Sequence, residues 1–329
     1  MKQLLRIEKS IQTWGADALV IQYTPYLYGS DRRGLCPEIP YWIRGLKKRI
    51  GIPVLLTAHE LHYPLGFSLD RLGVGAPQFV QFLTLAWLVD SIAFTYEAPW
   101  LHYQGMTKRT GLFRSTPFEW IPVGSTIPKS EMTLKMESKG SLLLQFGSSH
   151  ASRLFDFSFL ALEKAHSSCS QPVSLAFLGV SDQEVQQRLQ WSKFQNLRTH
   201  VQGLGYLAPN ETSSWIQRAD LILAPFVDGI SCRRTSAMAA LAHARPLVTT
   251  LGTSTDPSIH WPEFSACSQA KDPEAFALQV VNLLKTPQHA KELGEKGKKK
   301  YDDFFSWPVI AEKTLRWVQT SIQSNRGQT

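Results

Sequence analysis

The stretch Leu221–Thr250, LILAPFVDGISCRRTSAMAALAHARPLVTT, decides the fold. Its opening, Leu221–Phe226, is apolar throughout, as a strand buried on both faces requires. A polar turn follows, holding Asp228, Gly229, Ser231, Arg233 and Arg234. An alanine-rich helix over Cys232–His243, capped by Ser231, then leads to a second buried strand, Pro246–Thr250. Strand, turn, helix and strand make one unit of a parallel sheet, and open α/β sheets bind ligands at the carboxyl ends of their strands. Helix-start N–H groups beside two guanidiniums favour an anion there. A phosphate-bearing ligand is expected.

Outward from this unit the alternation continues. Strands are expected at Leu142–Phe146, Val173–Leu178 and Leu197–Gln202, and helices at Arg153–His166, Glu184–Trp191 and Glu211–Arg218. Further helices follow at Pro273–Lys285, His289–Tyr301 and Pro308–Ile322, the last with proline in its first turn. Near-continuous apolar strands alternating with helices predict a parallel, doubly wound α/β sheet. The first part has the same character. A helix over Gln3–Thr13 precedes strands at Ala18–Tyr23, Val54–Thr57 and Ser91–Tyr96, and Trp120–Pro122 leads out. The polar run PKSEMTLKMESKG lacks a period and reads as an inter-domain linker. The expected division is 1–128, a linker at 129–140, 141–305, and a final helix at 306–329 packing back toward the first domain.

Length and composition agree with two globular domains: 329 residues, 43% hydrophobic and 19% charged. The net charge of +8 favours anionic partners. Cys36, Cys169, Cys232 and Cys267 show no C-x-x-C spacing, so neither structural zinc nor a disulfide framework is expected. The amino-terminal residues have no apolar core of a secretory signal. Phe79–Tyr96 is interrupted by Gln81 and Asp90 and reads as a core helix feeding a strand, not a membrane span. A cytoplasmic location follows as an expectation.

Gly147 closes the first strand of the second domain, in QFGSSHASRLFD, and Arg153 can point into the crevice that Arg233 and Arg234 occupy. Three guanidiniums would bind a diphosphate without a metal. No D-x-D, H-E-x-x-H or other ligand cluster is present, so no metal or other cofactor is expected. The G-x-G of Gly203–Ala208 lacks a third glycine, and Pro209 separates it from the next helix; it reads as a loop. His59, with Glu60 and His62, stands past the strand Val54–Thr57 as a polar cluster at a strand end. Cys232, near cations at a helix start, would have a lowered pKa. Basic clusters occur at Arg32–Arg33, at Arg44 with Lys47–Arg49, and at Lys296–Lys300. The second, in PYWIRGLKKRI, mixes aromatics with cations and fits either a solvated helix face or a membrane surface.

The segments FGSSHASRLFD, GYLAPNETSSWIQRADLILAPF, DGISCRRTSAMAALAHARPLVTT and FFSWPVIAEKTLRWV resemble the carboxyl-terminal half of retaining glycosyltransferases of the two-Rossmann (GT-B) type, in the family 4 or "group 1" lineage. IQYTPYLYG, TAHELHYP and WIPVGSTIP resemble segments of its first domain. The resemblance implies two facing Rossmann-like domains, the first of them shortened at its amino terminus. It further implies a nucleotide-diphosphate sugar held by the second domain and a saccharide or lipid-linked acceptor held by the first. Asp228, followed by Gly229, matches the acid that contacts donor-sugar hydroxyls. Ser236 stands where a glutamate would grip the ribose, and Ser148 where the first of two diphosphate cations would be. Arg233 or Arg234 can replace that cation, with Gly147, Arg153 and Ser231 completing the diphosphate site. His59 resembles the first-domain histidine beside the donor sugar.

The implied reaction is metal-independent hexosyl transfer to a hydroxyl with retention, in polysaccharide assembly. A peripheral contact with the inner membrane face is compatible with it, and no nucleic-acid partner is expected. Two rival readings stay open: a non-catalytic or truncated sugar-nucleotide-binding partner of another transferase, and an epimerase on the same fold.

Overall fold

The computed structural model describes residues 2–28, 33–63, 68, 71–113, 115–131 and 140–326. Arg32 and most of the expected 129–140 linker lie outside the described residues. The chain forms two compact units, Met1–Pro122 with Ala311–Thr329, and Val123–Ile310. Both are α/β units built on a wholly parallel sheet.

In the first unit α1 (Lys2–Trp14) precedes β1 (Leu19–Tyr23), followed by α2 (Pro25–Tyr28), α3 (Glu38–Ile50), β2 (Val54–Ala58), α4 (Ala76–Leu88), β3 (Ser91–Phe94), α5 (Glu97–Thr110) and β4 (Phe118–Trp120). The strands lie side by side in chain order, β1-β2-β3-β4, registered from Leu19 against Val54 to Tyr23 against Ala58. Gly51 ends α3 in the left-handed region, φ 75°, and its N–H bonds Lys47 O, as a glycine after a helix commonly does. A core of Ile43, Leu46, Leu56, Phe82, Phe94 and Tyr103 fills the space between sheet and helices. A fourth strand not expected from the sequence, β4, ends at Trp120, where the chain leads out of the sheet.

The second unit runs β5 (Ser141–Phe146), α6 (Phe155–Ser168), β6 (Val173–Leu178), α7 (Asp182–Gln190), β7 (Val201–Gly205), α8 (Pro209–Arg218), β8 (Leu221–Ala224), α9 (Thr235–Ala242), β9 (Leu247–Leu251), β10 (Ala266–Gln269), α10 (Pro273–Lys285), α11 (Pro287–Lys300) and α12 (Trp307–Arg326). Its strand order is β10-β9-β8-β5-β6-β7. Counted within the unit that is 6-5-4-1-2-3, the doubly wound order. The winding reverses between β5 and β8, and it is beyond the carboxyl ends of such strands that doubly wound sheets bind ligands. From Ala311 onward α12 belongs to the first unit, where Trp317 Nε1 donates to Ser91 Oγ at 2.7 Å.

Four local expectations are corrected. Leu197–His200 is not strand; Gln195–His200 winds into a 3₁₀ turn, and buried Leu197 and Phe194 plug the core before β7 starts at Val201. β8 stops at Ala224 because Pro225 has no N–H for the ladder. Pro209 does not separate the G-x-G segment from the next helix but occupies the first position of α8. The helix expected from Cys232 begins only at Thr235, with Arg234 as the flanking residue and no side-chain cap. Ser231 therefore does not cap it. The strand β10, Ala266–Gln269, carries Ser265, Cys267 and Ser268 in and beside it, too polar a run to read as a buried strand.

Candidate functional site

Two loops meet where the second sheet reverses. One leaves β5 as Gly147–Leu154; the other leaves β8 as Pro225–Arg234. Backbone bonds join them: Val227 N–H donates to Ser152 O at 2.9 Å, and Leu154 N–H to Pro225 O at 3.1 Å. Phe226, fully buried, anchors the second loop through Thr250, whose hydroxyl accepts from Phe226 N–H at 2.8 Å and donates to Phe226 O at 2.7 Å.

The Phe226 ring forms the floor of a cationic cluster. Arg234 lies over it with its guanidinium carbon 4.4 Å from the ring centroid, and Arg153 at 5.2 Å. Asp228 holds the pair beside it: Arg233 Nη2 donates to Oδ2 at 3.0 Å and Arg234 Nη2 donates to Oδ1. Arg234 Nη1 also reaches Ser152 Oγ at 3.4 Å. Two of the three guanidiniums are thus paired with Asp228.

Arg153 is the least compensated member. Its Nη2 donates to Ser236 Oγ at 3.1 Å, while Nη1 is buried and has no hydrogen-bond partner among the described residues. Burial pushes its pKa down to about 10, and the neighbouring Arg234 charge pushes the same way. A buried guanidinium with an unmet donor and a like-charged neighbour is stabilised by an incoming anion. Gly147, at φ 127°, makes the room: a Cβ there would collide with the Arg153 guanidinium. Ser148 is exposed on the same loop.

The turn before α9 is organised by a residue that sequence reasoning missed. Asp256, buried, accepts from Cys232 N–H at 2.6 Å, and Arg234 N–H donates to Ser231 O at 3.0 Å. Cys232 Sγ is buried 3.7 Å from Asp256 Oδ1, so this thiol faces a carboxylate rather than a cation. Ser231 Oγ is buried without a hydrogen-bond partner among the described residues. Gly229, at φ 87°, abuts the backbone of Gly252 in the loop after β9, and Ser254 N–H donates to Asp228 O at 2.7 Å. A T-D-P sequence at Thr255–Pro257 is the only signal that could have marked Asp256, and as a turn motif it is unspecific.

His59 directly follows β2 in the first unit. Its Nε2 lies 2.7 Å from Gln22 Oε1, and its N–H donates to Tyr23 O at 2.9 Å. Burial lowers the His59 pKa against the smaller opposing effect of Glu60. A neutral ring donating through Nε2 leaves Nδ1 as its acceptor. Glu60 is exposed, and His62 Nδ1 bonds Tyr63 O at 2.8 Å with its ring edge-on to Phe79. Structure thus unites Gly147, Arg153, Asp228, Arg233, Arg234 and Ser236 in one cluster. Among the described residues no group of three or more His, Cys, Asp or Glu side chains is placed to hold a metal ion.

No family model matches the chain, and no curated protein matches it in sequence. Solved structures do. Sucrose-phosphate synthase from Thermosynechococcus elongatus is similar with a TM-score of 0.70 at 14% identity, over 98% of this chain and 78% of that one. Anabaena HepE in complex with UDP and glucose gives 0.68 at 13%, over 96% and 81%. The α,α-trehalose 6-phosphate synthase of Burkholderia multivorans gives 0.67 at 12%, over 98% and 76%. The shared feature is the two-Rossmann-domain, GT-B, fold.

Proposed function

We propose that this chain transfers a hexosyl group from a nucleoside-diphosphate sugar to a hydroxyl acceptor, a saccharide or a lipid-linked one, with retention and without a metal ion. The observation that carries the reading is the gathering of Arg153, Arg233 and Arg234 at the point where the second sheet reverses its winding. HepE, a neighbour in fold, was solved with UDP and glucose bound, which supports the same ligand class here. The family 4 lineage rests on the segments quoted above.

As the anomeric carbon–oxygen bond breaks, its electron pair passes to the diphosphate. The guanidiniums supply the compensating field, held in place before reaction by Phe226, Ser152 and Asp228. The acceptor oxygen bonds the same carbon from the leaving-group face, and its proton goes to the departing phosphate oxygen. Asp228 and Gly229 are assigned to the donor sugar, Ser236 to the ribose side, and Ser148 and Ser231 to the diphosphate. His59 is assigned to the transferred sugar from the resemblance of its segment.

The test is turnover of UDP-, GDP- and ADP-sugars in the presence of a chelator. Replacing Arg233 and Arg234 together by alanine is expected to cut turnover about a hundredfold or more, from two charge-assisted bonds, without unfolding the protein. Undiminished turnover in that variant removes the proposed role. One observation favours the binding-only reading: both Asp228 oxygens already accept from arginines. A wild-type chain that binds a donor nucleotide but neither transfers nor hydrolyses any sugar would establish it.

A further inference from the structure

The sheet of the second unit ends at β10, and part of the main chain there points away from the sheet. Ala270 N–H donates to Leu251 O of β9 at 2.9 Å, after a parallel pairing that runs from Ala266 against Val248 to Gln269 against Leu251. Successive residues of a strand turn their N–H and C=O groups to alternate sides, so Ala266 and Ser268 also face β9. Cys267 and Gln269 therefore face the open edge. Gln269 O is taken there by Asp272 N–H at 3.0 Å, which leaves Cys267 N–H, Cys267 O and Gln269 N–H as the edge groups. A cleft of about 980 Å³ follows this edge. One wall is α10, packed on α6 through Phe276 and Phe157 with ring centroids 5.6 Å apart. The other is α11, packed on α9 where Gly297 lies against Leu241. In a doubly wound sheet α6 and α9 cover opposite faces, so the cleft is a slot along the sheet edge. Buried Leu283 and Leu293 line its depth.

The rim of the slot is cationic. Lys296 and Lys299 stand exposed on the α11 wall, and Lys300 beside them has its Nζ 5.4 Å from the Phe304 ring centroid. The acids near these lysines are engaged by other side chains: Glu292 accepts from Gln288 Nε2 at 3.0 Å, Glu295 lies 3.9 Å from Lys291 Nζ, and Asp302 lies 2.5 Å from Lys298 Nζ. Of the two acids that line the slot, Glu263 faces His260 at 3.9 Å, so the three lysines outweigh Asp303. We propose that this slot takes an extended acidic segment of a partner protein, added to the sheet as a further strand beside β10, with its carboxylates toward Lys296 and Lys299. Main-chain bonds to a sheet edge supply affinity in such strand addition, and flanking side chains supply selectivity. Lysines beside an edge also keep strands away, and here they repel basic segments while attracting acidic ones. A second copy of the chain would bring the same lysine row, which like-charge repulsion opposes. A small anion would use the lysines but not the outward main chain.

The experiment is fluorescence anisotropy of the full chain with a short fluorescein-labelled peptide of alternating valine and glutamate. Two controls accompany it: a peptide of alternating valine and lysine, and the glutamate peptide with a methylated backbone that cannot donate. Binding is expected for the glutamate peptide and not for the lysine one, and it is expected to weaken with salt. Backbone methylation is expected to cost about tenfold or more in affinity, since it removes the main-chain bonds. The variant Lys296→Glu with Lys299→Glu is expected to lose about tenfold or more, with the unfolding midpoint unchanged because both residues are exposed. Gln269→Pro removes an edge N–H but no bond to β9, and it is expected to weaken peptide binding while donor-nucleotide affinity stays the same. Equal binding of the methylated peptide overturns the proposal in favour of a site for charge alone. Equal binding of the lysine peptide overturns it, as does no binding of any peptide, in which case the lysines only guard the edge. Self-association abolished by Gln269→Pro, without peptide binding, also overturns it. None of these outcomes bears on sugar transfer, so the two proposals fail separately.

Discussion

Asp228 sits between two arginines and is both a structural counter-ion and the assigned contact of the donor sugar. These roles separate in Asp228→Asn. Loss of the carboxylate leaves Arg233 and Arg234 poorly compensated, and the ligand-free protein is expected to lose about 1–3 kcal/mol. A diphosphate then supplies the missing charge. UDP is expected to raise the unfolding midpoint more in Asp228→Asn than in the wild type, while transfer falls; thermal-shift curves and a donor assay read the two effects. A smaller UDP shift in the variant would show that Asp228 does not compete with the ligand for the arginines. His243 offers a second test at this scale. Its Nδ1 bonds Ala239 O at 2.7 Å, its Nε2 faces Ser213 Oγ at 2.8 Å, and burial lowers its pKa first and most. His59 is lowered likewise. With folded pKa values below the unfolded ones, the unfolded chain binds protons first as pH falls below about 6.5. Stability is therefore full above that range and declines as pH falls through it. Urea midpoints at about pH 7 and about pH 5.5 are expected to show the decline, and His243→Gln to reduce it. An unchanged pH slope in the variant would exclude His243 as a source.

At the scale of elements, what the chain disclosed in advance depended on how far each segment's pattern acts locally. Val173–Leu178 and Pro273–Lys285 form as read, because an unbroken apolar run and an Asp-Pro helix start need no distant partner. The start of α9 was misread for the opposite reason. Arg233 and Arg234 are drawn to Asp228, and Cys232 N–H to Asp256, so the chain turns for three more residues before the helix begins. Of the site, the arginines and Asp228 were legible as a charged turn at a strand end. The Phe226 floor and the Thr250 clamp were not, since apolar and threonine residues near strand ends usually serve the core alone. That clamp is testable. Thr250→Val keeps the shape but leaves buried Phe226 N–H without its partner and its C=O with Gly229 N–H alone, and a cost of about 1–3 kcal/mol is expected in denaturant unfolding. A cost below about half a kcal/mol would mean that the hydroxyl does not hold the loop.

Across the whole molecule, the order 6-5-4-1-2-3 in the second unit determines where a ligand can lie, and the arginines fall at that place. The first unit has its strands in chain order and no such reversal among those described, and His59 follows the second of them. The fold is the one shared with sucrose-phosphate synthase and HepE at 14% and 13% identity. At such distance the ligand class hangs on the physics of the second unit's crevice.

Calorimetric titration of UDP and UMP into the full chain with excess chelator tests that physics most directly. The second phosphate is expected to improve affinity about tenfold or more, and Arg153→Met to remove most of that difference. Equal affinities for UDP and UMP, or a UDP preference that survives Arg153→Met intact, would mean that the guanidinium cluster does not receive a pyrophosphate.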